Sequence, residues 1–464
     1  MKGNSHAPRP NTDVVNEPED NSPNLTTPSW FGRLKAGAIA SRTARDGVWS
    51  IVLRLASKGL GFLITIVLAR VLGADGYGVY AYAFALVTLL SMPAQAGLPA
   101  LVIRETAAGM AREDPARVRG VWVWSGRAVA VLSIVLVLIA GIIHFIWNEG
   151  RIEGESWTLV WALILVPFAA LGNMRGAALR GLHQIVAGQL PEFVFRPGLL
   201  LLFIGGVIIV STTQITPPVA MALHVAAAAI AFCAGGWMLW IQTPPSVRGI
   251  APRYETKKWV ASAVPLALVA GMLTINRQAD ILMLGIFSPP DQVGVYRVSV
   301  QVATLASFGL QAMNMVVAPR FANLYAKGEM DRLQQLVRKS ARVVLVISLV
   351  STIVFVLFGR PVLEVIFGSA YVASYLPLII LLFGQMVNSL AGSVGFLLNM
   401  TGFEKETARG MAAAAGINIV LNLILIPIWG TVGAATTTAI SMLAWNFLLW
   451  YAVRKHLGIN SLAF

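Results

Sequence analysis

Long apolar runs alternate with short polar segments from about residue 50 to residue 453. Each run approaches the roughly 20 residues that a helix needs to cross the hydrocarbon core of a bilayer. The predicted limits of these runs are 50–72, 79–103, 120–146, 157–179, 186–210, 217–241, 259–287, 292–319, 342–359, 375–400, 410–429 and 433–453. The pattern predicts an all-α polytopic membrane protein with about 12 transmembrane helices.

The first 47 residues differ from the rest because they are polar, contain several prolines and cannot bury a core. We expect residues 1–47 to be a disordered, basic tail, with no signal peptide before the first span. Within the tail, the segment from Trp30 to Arg45 combines aromatic and basic residues. This composition is typical of a helix on the membrane surface, and also of a basic flank to the first span.

Two segments, 73–104 and 289–320, repeat each other without a gap at an offset of 216 residues. Ten of their 32 aligned positions are identical. The identical pairs include Gly78/Gly294, Tyr80/Tyr296, Gln95/Gln311 and Arg104/Arg320. Chance is the alternative explanation, since both segments are rich in Ala, Leu and Val.

An offset close to half the chain favours one bundle built twice, an architecture in which transporters place a substrate site between two halves. We therefore predict two pseudo-symmetric six-helix lobes, at 48–241 and 259–464. A basic, proline-containing linker, 242–258, would join them on the cytoplasmic side.

The composition agrees with a membrane protein, since 57% of residues are hydrophobic, 12% are charged and the mean hydropathy is +0.72. Most of the 35 Lys and Arg residues fall in the tail and in loops on one side, while Arg151 and Arg360 fall on the other. This positive-inside bias predicts that both termini are cytoplasmic and that the number of spans is even. Topology and anionic lipids then explain the net charge of +14, and no nucleic-acid partner is expected.

Signals for catalysis or cofactor binding are missing from the sequence. There is no GxxxxGK[ST], HExxH or GxSxG motif, and the five His residues have no metal-ligand spacing. The lone Cys233 excludes disulfides and cysteine metal sites. We expect a protein that is not an enzyme and has no catalytic residues, metal or cofactor.

Charged residues inside the predicted spans are the candidates for function, because an Arg at a helix centre costs roughly 2.5–3.5 kcal/mol on insertion scales. Arg277 is the deepest, roughly 15 Å from the outer end of its span at 1.5 Å per residue. It could form an internal pair with Asp280 at i and i+3. It could instead line a cavity as an anion contact, with Asp280 as a coupling site for a proton or cation.

Glu192 and Arg196 lie one turn apart between Pro191 and Pro197. They predict either a local charge pair in a kinked helix or a kink that moves during transport. Arg104 and Arg320 end spans two and eight at the cytoplasmic surface. They are either topological anchors or a basic rim that meets phosphate headgroups.

The excess of cations in the spans predicts an anionic cargo, because the planar guanidinium group can bind two phosphate oxygens at once. An exporter of cationic drugs would be expected to concentrate Asp and Glu in its spans. Only Glu192 and Asp280 are clear acidic candidates here.

The motifs resemble those of bacterial polysaccharide-biosynthesis flippases, the Wzx-type exporters of the multidrug/oligosaccharidyl-lipid/polysaccharide superfamily. The resemblance covers nearly the whole chain after residue 47. Its motifs concern packing and topology rather than a reactive signature. They are Lys58–Gly59, Arg70–Gly73, Gly78–Tyr80, Gly294–Tyr296, Pro319–Phe321 and Asn399–Thr407.

This resemblance implies a two-lobed protein of the bacterial cytoplasmic (inner) membrane. It would move an undecaprenyl-pyrophosphate-linked oligosaccharide to the outer leaflet by alternating access, for O-antigen, capsule or exopolysaccharide synthesis. Arg54, Lys58, Arg127 and Arg277 would face the pyrophosphate and sugar. Membrane lipids and a polysaccharide polymerase or export machinery would be its partners.

Four rival functions remain at this point. The first two are a drug/cation antiporter of the same superfamily and a lipid II flippase, although lipid II flippases commonly have fourteen spans. The third is a membrane enzyme such as a polymerase, which would be expected to have a large outer loop. The fourth is a scaffold subunit of a synthesis complex.

Overall fold

The computed structural model describes residues 30–147, 154, 156–210 and 214–463, with side chains from residue 49 onward except at 306, 308, 312, 315 and 316. Its α-helices are α1 Trp30–Gln95, α2 Leu98–Ala111, α3 Pro115–Trp147, α4 Ser156–Gly181, α5 Ile185–Leu190, α6 Arg196–Val210, α7 Pro217–Gln242, α8 Thr256–Phe287, α9 Pro290–Ala306, α10 Phe308–Ala326, α11 Met330–Phe367, α12 Tyr375–Ala391, α13 Val394–Met400 and α14 Glu404–Leu457. A π-helical turn, Pro191–Phe195, joins α5 to α6, and a 3₁₀ helix, Ser369–Ser374, precedes α12.

The predicted fold class is confirmed, because the described residues form helices and no strand. Nine helices in this part of the chain are long and apolar enough to cross a membrane. The protein is therefore an all-α, multi-pass membrane protein. The count of about twelve spans stays a prediction. The predicted tail, 1–47, lies outside the described residues up to residue 29, and α1 begins within it at Trp30.

Two of the helices contain a glycine kink that separates neighbouring predicted spans. Gly73 in α1 has φ 69° and ψ −177°, and Gly430 in α14 has φ 53° and ψ −126°. Side chains disfavour these conformations, whereas glycine adopts them readily. The chain turns at each kink without a loop, so predicted span 50–72 and the larger part of predicted span 79–103 lie in α1. The last residues of the second span belong to α2, which begins at Leu98.

The helices pack in two groups. In the first, α4 packs against α2, α3, α5 and α7, and α6 packs against α7. We count α1 with this group because its Tyr80 hydrogen-bonds to His224 of α7. In the second, α14 packs against α8, α12 and α13, while α11 packs against α10 and α12. Contacts between α2 and α8 connect the groups. A two-lobed bundle would have this packing, and the division at residues 242–258 stays a proposal.

Two glycines of the sequence repeat meet where α1 and α9 cross. A Cβ built on Gly78 would overlap the Pro290 carbonyl group, and a Cβ on Gly294 would overlap the Ala74 carbonyl oxygen. Each of these positions also lies 3.1 Å from the backbone nitrogen of the other glycine. The backbones can therefore approach this closely only because neither residue has a side chain. We call this region the Gly78 end of the bundle.

Further contacts join the two helix groups at the Gly78 end. The Tyr371 hydroxyl donates to the Gly73 carbonyl oxygen at 3.0 Å. The Arg70 guanidinium donates to the carbonyl oxygens of Val365 and Ile366, the latter at 2.9 Å. The Gly78 end is closed in this structure.

The linker before α8 is fixed to α3 at the opposite end. The Arg253 amide donates to the Ala116 carbonyl oxygen at 3.0 Å, and the Arg253 carbonyl lies against Gly120 where a Cβ would collide with it. Arg117 bridges Glu105 at 2.6 Å and Glu255 at 3.5 Å. The start of α8 is thereby tied to the first helix group.

Candidate functional site

A cavity of about 440 Å³ lies between helices of the first group and α8. Its volume falls within the range of about 300–1,000 Å³ that is typical of ligand pockets. The polar residues that line it are Thr88, Ser91, Gln95, Asn173, Arg196 and Thr274. Because Thr274 belongs to α8 and the others to α1, α4 and α6, a movement between the groups would change the cavity.

Three of the four predicted cavity cations interact electrostatically. The Lys58 ammonium group donates a hydrogen bond to Gln311 Oε1, which connects α1 to α10. Arg54 and Arg277 both lie within electrostatic range of Lys58. Arg277 is three residues after the cavity residue Thr274, about one turn along the same side of α8. We call Arg54, Lys58 and Arg277 the cation cluster.

Arg127 does not join this cluster in the structure. The buried residues of α3 include Val121, Ser125 and Val129, whereas Arg127 is exposed. At 100° per residue, Arg127 lies on the opposite side of the helix, in line with exposed apolar side chains. These are Val131, Ile134, Leu138 and Ile142. The structure therefore places Arg127 on the face of α3 that would meet lipid.

The Glu192–Arg196 pair forms, and a second arginine that sequence analysis did not single out joins it. Arg196 Nη1 lies 3.2 Å from Glu192 Oε2, and Arg175 Nη2 lies 3.6 Å from Glu192 Oε1. Arg175 lies in the predicted span 157–179. Its position near Gly172 and Gly176 could have indicated a buried arginine from the sequence. Small neighbours leave room for a buried guanidinium group.

Asp280 is buried but has no cationic partner among the described residues. Its carboxylate accepts hydrogen bonds from the Tyr296 hydroxyl at 2.9 Å, from Asn422 Nδ2 at 2.7 Å and from the Thr438 hydroxyl. An internal Arg277–Asp280 pair is therefore not formed in this structure. Tyr80, the repeat equivalent of Tyr296, instead hydrogen-bonds to His224 Nδ1 at 2.8 Å.

The two predicted rim residues are exposed. Arg104 is on α2, and its guanidinium group pairs with Glu105 at 3.2 Å. Arg320 is on α10. In addition, the described residues contain no group of three or more His, Cys, Asp or Glu side chains that could hold a metal ion.

Taken together, these positions give the space between the helix groups a positive charge. The cation cluster draws on both helix groups, and Arg196 adds a guanidinium group to the cavity wall. The Glu192 carboxylate, which pairs with Arg196 of this wall, is shared by two guanidinium groups. Such a surface can bind an anionic group with several oxygens.

A family model described as polysaccharide biosynthesis protein matches residues 43–325, which is more than half of the 464-residue chain. The chain belongs to the polysaccharide biosynthesis protein family. The family expected from the sequence motifs is thereby confirmed. A second model, MatE, matches residues 265–424 and overlaps the first.

A relative of this family member spans most of both chains. The probable low-salt glycan biosynthesis flippase Agl15 of Haloferax volcanii is 24% identical over 405 residues, covering 86% of this chain and 80% of its own. The capsular polysaccharide biosynthesis protein CapF of Staphylococcus aureus is 21% identical over 192 residues, covering 41% of this chain and 48% of its own.

Solved transporters share the fold. The lipid II flippase MurJ in an inward closed conformation has a TM-score of 0.69 and 13% identity, with 87% of each chain covered. A multidrug resistance MATE family transporter in an inward-facing conformation has a TM-score of 0.66 and 13% identity, covering 89% of this chain and 98% of its own. At this level of identity the two structures establish the fold alone.

Proposed function

We propose that this family member is a flippase that moves a lipid-linked oligosaccharide, carried on undecaprenyl pyrophosphate, across the cytoplasmic membrane. The observation that carries the proposal is the cation cluster, in which Arg54 of α1 and Arg277 of α8 both lie within electrostatic range of Lys58. A pyrophosphate group can accept charge-assisted hydrogen bonds from several cations at once. The similarity to a probable glycan biosynthesis flippase supports the same class of cargo.

The transport cycle would be alternating access. In the proposed topology both termini are cytoplasmic, so the closed Gly78 end faces outward and the cargo enters from the inner leaflet. Rocking of the two lobes would open the Gly78 end and close the opposite one. The flippase would act in the bacterial inner membrane with a polysaccharide polymerase or export machinery, and it would hydrolyse no ATP of its own.

Reconstitution in liposomes tests this function. The liposomes would contain the purified protein and a polyprenyl-pyrophosphate-linked oligosaccharide with a fluorescent label on the glycan. A quencher that cannot cross the membrane would then report the fraction of labelled lipid in each leaflet. We expect the protein to equilibrate the lipid between leaflets and to leave a lipophilic cationic dye gradient intact. Dye efflux without movement of the glycolipid would contradict the proposal.

A second candidate function is export of a cation, which the environment of Asp280 favours. This carboxylate is buried, and no cation contacts it among the described residues. In the flippase, the same carboxylate would instead take a coupling proton or cation. The two functions differ in what Asp280 binds during transport.

Asp280→Asn separates these functions. If Asp280 takes a coupling ion, the variant should lose the acceleration that an ion gradient gives but still equilibrate the glycolipid slowly without a gradient. Asp291→Asn removes a carboxylate at the start of α9, outside this network, and serves as the control. Flipping that responds to the gradient as strongly in Asp280→Asn as in the wild type would exclude coupling through this residue.

A further inference from the structure

Three charged side chains lie close together inside the first helix group. Arg175 lies on α4, Glu192 in the π-helical turn, and Arg196 at the start of α6. The exposed fractions of their side chains are 7%, 10% and 23%, respectively. One carboxylate thus neutralises one of two guanidinium groups, and a single positive charge is left.

The two arginines face different spaces. Arg196 lines the 440 Å³ cavity between the helix groups. Arg175 instead lines a separate pocket of about 280 Å³ within the first group. Only Arg196 can therefore touch a ligand in the larger cavity, and Arg175 can act on such a ligand only through Glu192.

Arg175 is held in place from three sides. Its guanidinium group fills the space above Gly235, where a Cβ would overlap it. Its Nη1 donates to the Phe232 carbonyl oxygen, and its Cζ lies 5.0 Å from the centroid of the Phe232 ring. Its Nε, although buried, has no hydrogen-bond partner among the described residues. The guanidinium group is fixed but retains donor capacity for Glu192.

The Glu192 carboxylate lies between its two arginine partners. The carboxylate is closer to Arg196, at 3.2 Å, than to Arg175, at 3.6 Å. Gly172 provides the space for Glu192 Oε1, because a Cβ at this position would overlap that oxygen. Oε1 is also the oxygen that faces Arg175. A small movement of one carboxylate would therefore transfer its charge from one arginine to the other.

We propose that Arg175 is a positioning residue that sets the anion affinity of Arg196 by competing for the Glu192 carboxylate. When an anionic group of the cargo reaches Arg196, Glu192 moves toward Arg175, and Arg196 becomes free to bind. When the anion leaves, Glu192 returns to Arg196 and favours release. This inference rests on the proposed function and adds a means of releasing the cargo.

The competition predicts changes of opposite sign. Arg175→Met removes the competitor, so Glu192 should neutralise Arg196 and weaken anion binding about tenfold, although Arg175 itself lines another pocket. Glu192→Gln frees both guanidinium groups and should strengthen anion binding about tenfold. Because Arg175 acts only through Glu192, the double variant Arg175→Met/Glu192→Gln should bind as tightly as Glu192→Gln alone. A merely structural role would weaken binding in every variant.

The test is binding of inorganic pyrophosphate to the full-length protein in lipid nanodiscs, measured by calorimetry at low ionic strength. Arg342→Met is the matched control, because it removes a guanidinium group that donates to the Ala463 carbonyl oxygen at 2.8 Å, far along the chain from this site. Its binding should equal that of the wild type. If Arg175→Met does not fold, Gly172→Ala tests the same point, since it pushes Glu192 Oε1 away and should also weaken binding.

The outcomes separate the two proposals. Weakening by Arg175→Met or Gly172→Ala together with strengthening by Glu192→Gln supports the positioning role. If the wild type binds pyrophosphate and Glu192→Gln weakens this binding as well, the positioning role is wrong. The proposal of an anionic cargo is then still supported. No pyrophosphate binding by the wild type or any variant overturns the anionic cargo, and the positioning role with it.

Discussion

Arg277→Ala should reduce polysaccharide export by about ten- to hundredfold while the protein remains folded in the membrane. Arg277 is the contribution of α8 to the cation cluster, and the other two members lie on α1. A hydrogen bond to a charged group is worth about 1.5–3 kcal/mol, which corresponds to that factor in affinity. The Arg277 side chain is exposed and forms no ion pair with the described residues, so its removal should have little effect on the stability of the fold. Cell-surface polysaccharide and the amount of protein in the membrane fraction measure the two effects.

Two further arginines give this experiment its controls. Arg342→Ala makes the same chemical change elsewhere in the second helix group and should leave export near the wild-type level. Arg127→Ala tests which of two positions for Arg127 is correct, the one implied by the family resemblance or the one seen in the structure. The resemblance places Arg127 against the cargo, whereas in the structure it lies in line with the exposed apolar side chains of α3. Normal export in Arg277→Ala would remove the cation cluster from the mechanism.

Gly78→Ala should hold the Gly78 end open and lower export at least fivefold. Its Cβ would overlap the Pro290 carbonyl, and backbone atoms cannot move aside by changing a rotamer. Overpacking costs roughly 1–3 kcal/mol, and a cost confined to the closed state shifts the equilibrium by about 5–150-fold. The labelling rate of a cysteine introduced by Ala74→Cys, in a Cys233→Ser background, reports the opening. An impermeant maleimide added from outside should react faster in the Gly78→Ala protein.

Gly61→Ala and Gly294→Ala complete this comparison. Gly61 is also on α1, but nothing lies within 4 Å of a Cβ built there, so this variant should export and label normally. A Cβ on Gly294 would overlap the Ala74 carbonyl oxygen, and this variant should behave as Gly78→Ala does. Normal labelling and export in both Gly78→Ala and Gly294→Ala would show that the α1–α9 crossing does not limit the cycle.

Much of the fold could be predicted because membrane spans are defined by length and hydropathy. The helical class and the approximate apolar runs follow from these properties. The kinks did not follow, because a φ of 69° at Gly73 or 53° at Gly430 leaves no trace in hydropathy. The π-helical turn at Pro191–Phe195 was indicated only by its proline. The meeting of Gly78 and Gly294 could be sought in the repeat, although an identical pair does not by itself indicate a contact.

The candidate site was predictable by residue type but not by partner. Deep cations in apolar spans are costly, so Lys58, Arg196 and Arg277 stood out in the sequence. Their direction depends on how the helices are rotated, and hydropathy did not separate Arg277 from Arg127. The three neutral donors around Asp280 come from α9 and α14, distant in sequence. Local spacing therefore favoured an Arg277 partner that the structure does not use.

Depletion of the protein in living cells tests the central claim most directly. Expression of the protein would be switched off, and intact cells would be treated with a glycan-modifying reagent that cannot cross the membrane. The lipid-linked oligosaccharide would then be extracted, and its modified fraction would show how much lay in the outer leaflet. We predict that lipid-linked repeat units accumulate in the inner leaflet and that polysaccharide disappears from the cell surface. Lipid-linked repeat units that still reach the outer leaflet at the normal rate would contradict the claim that this protein is the flippase.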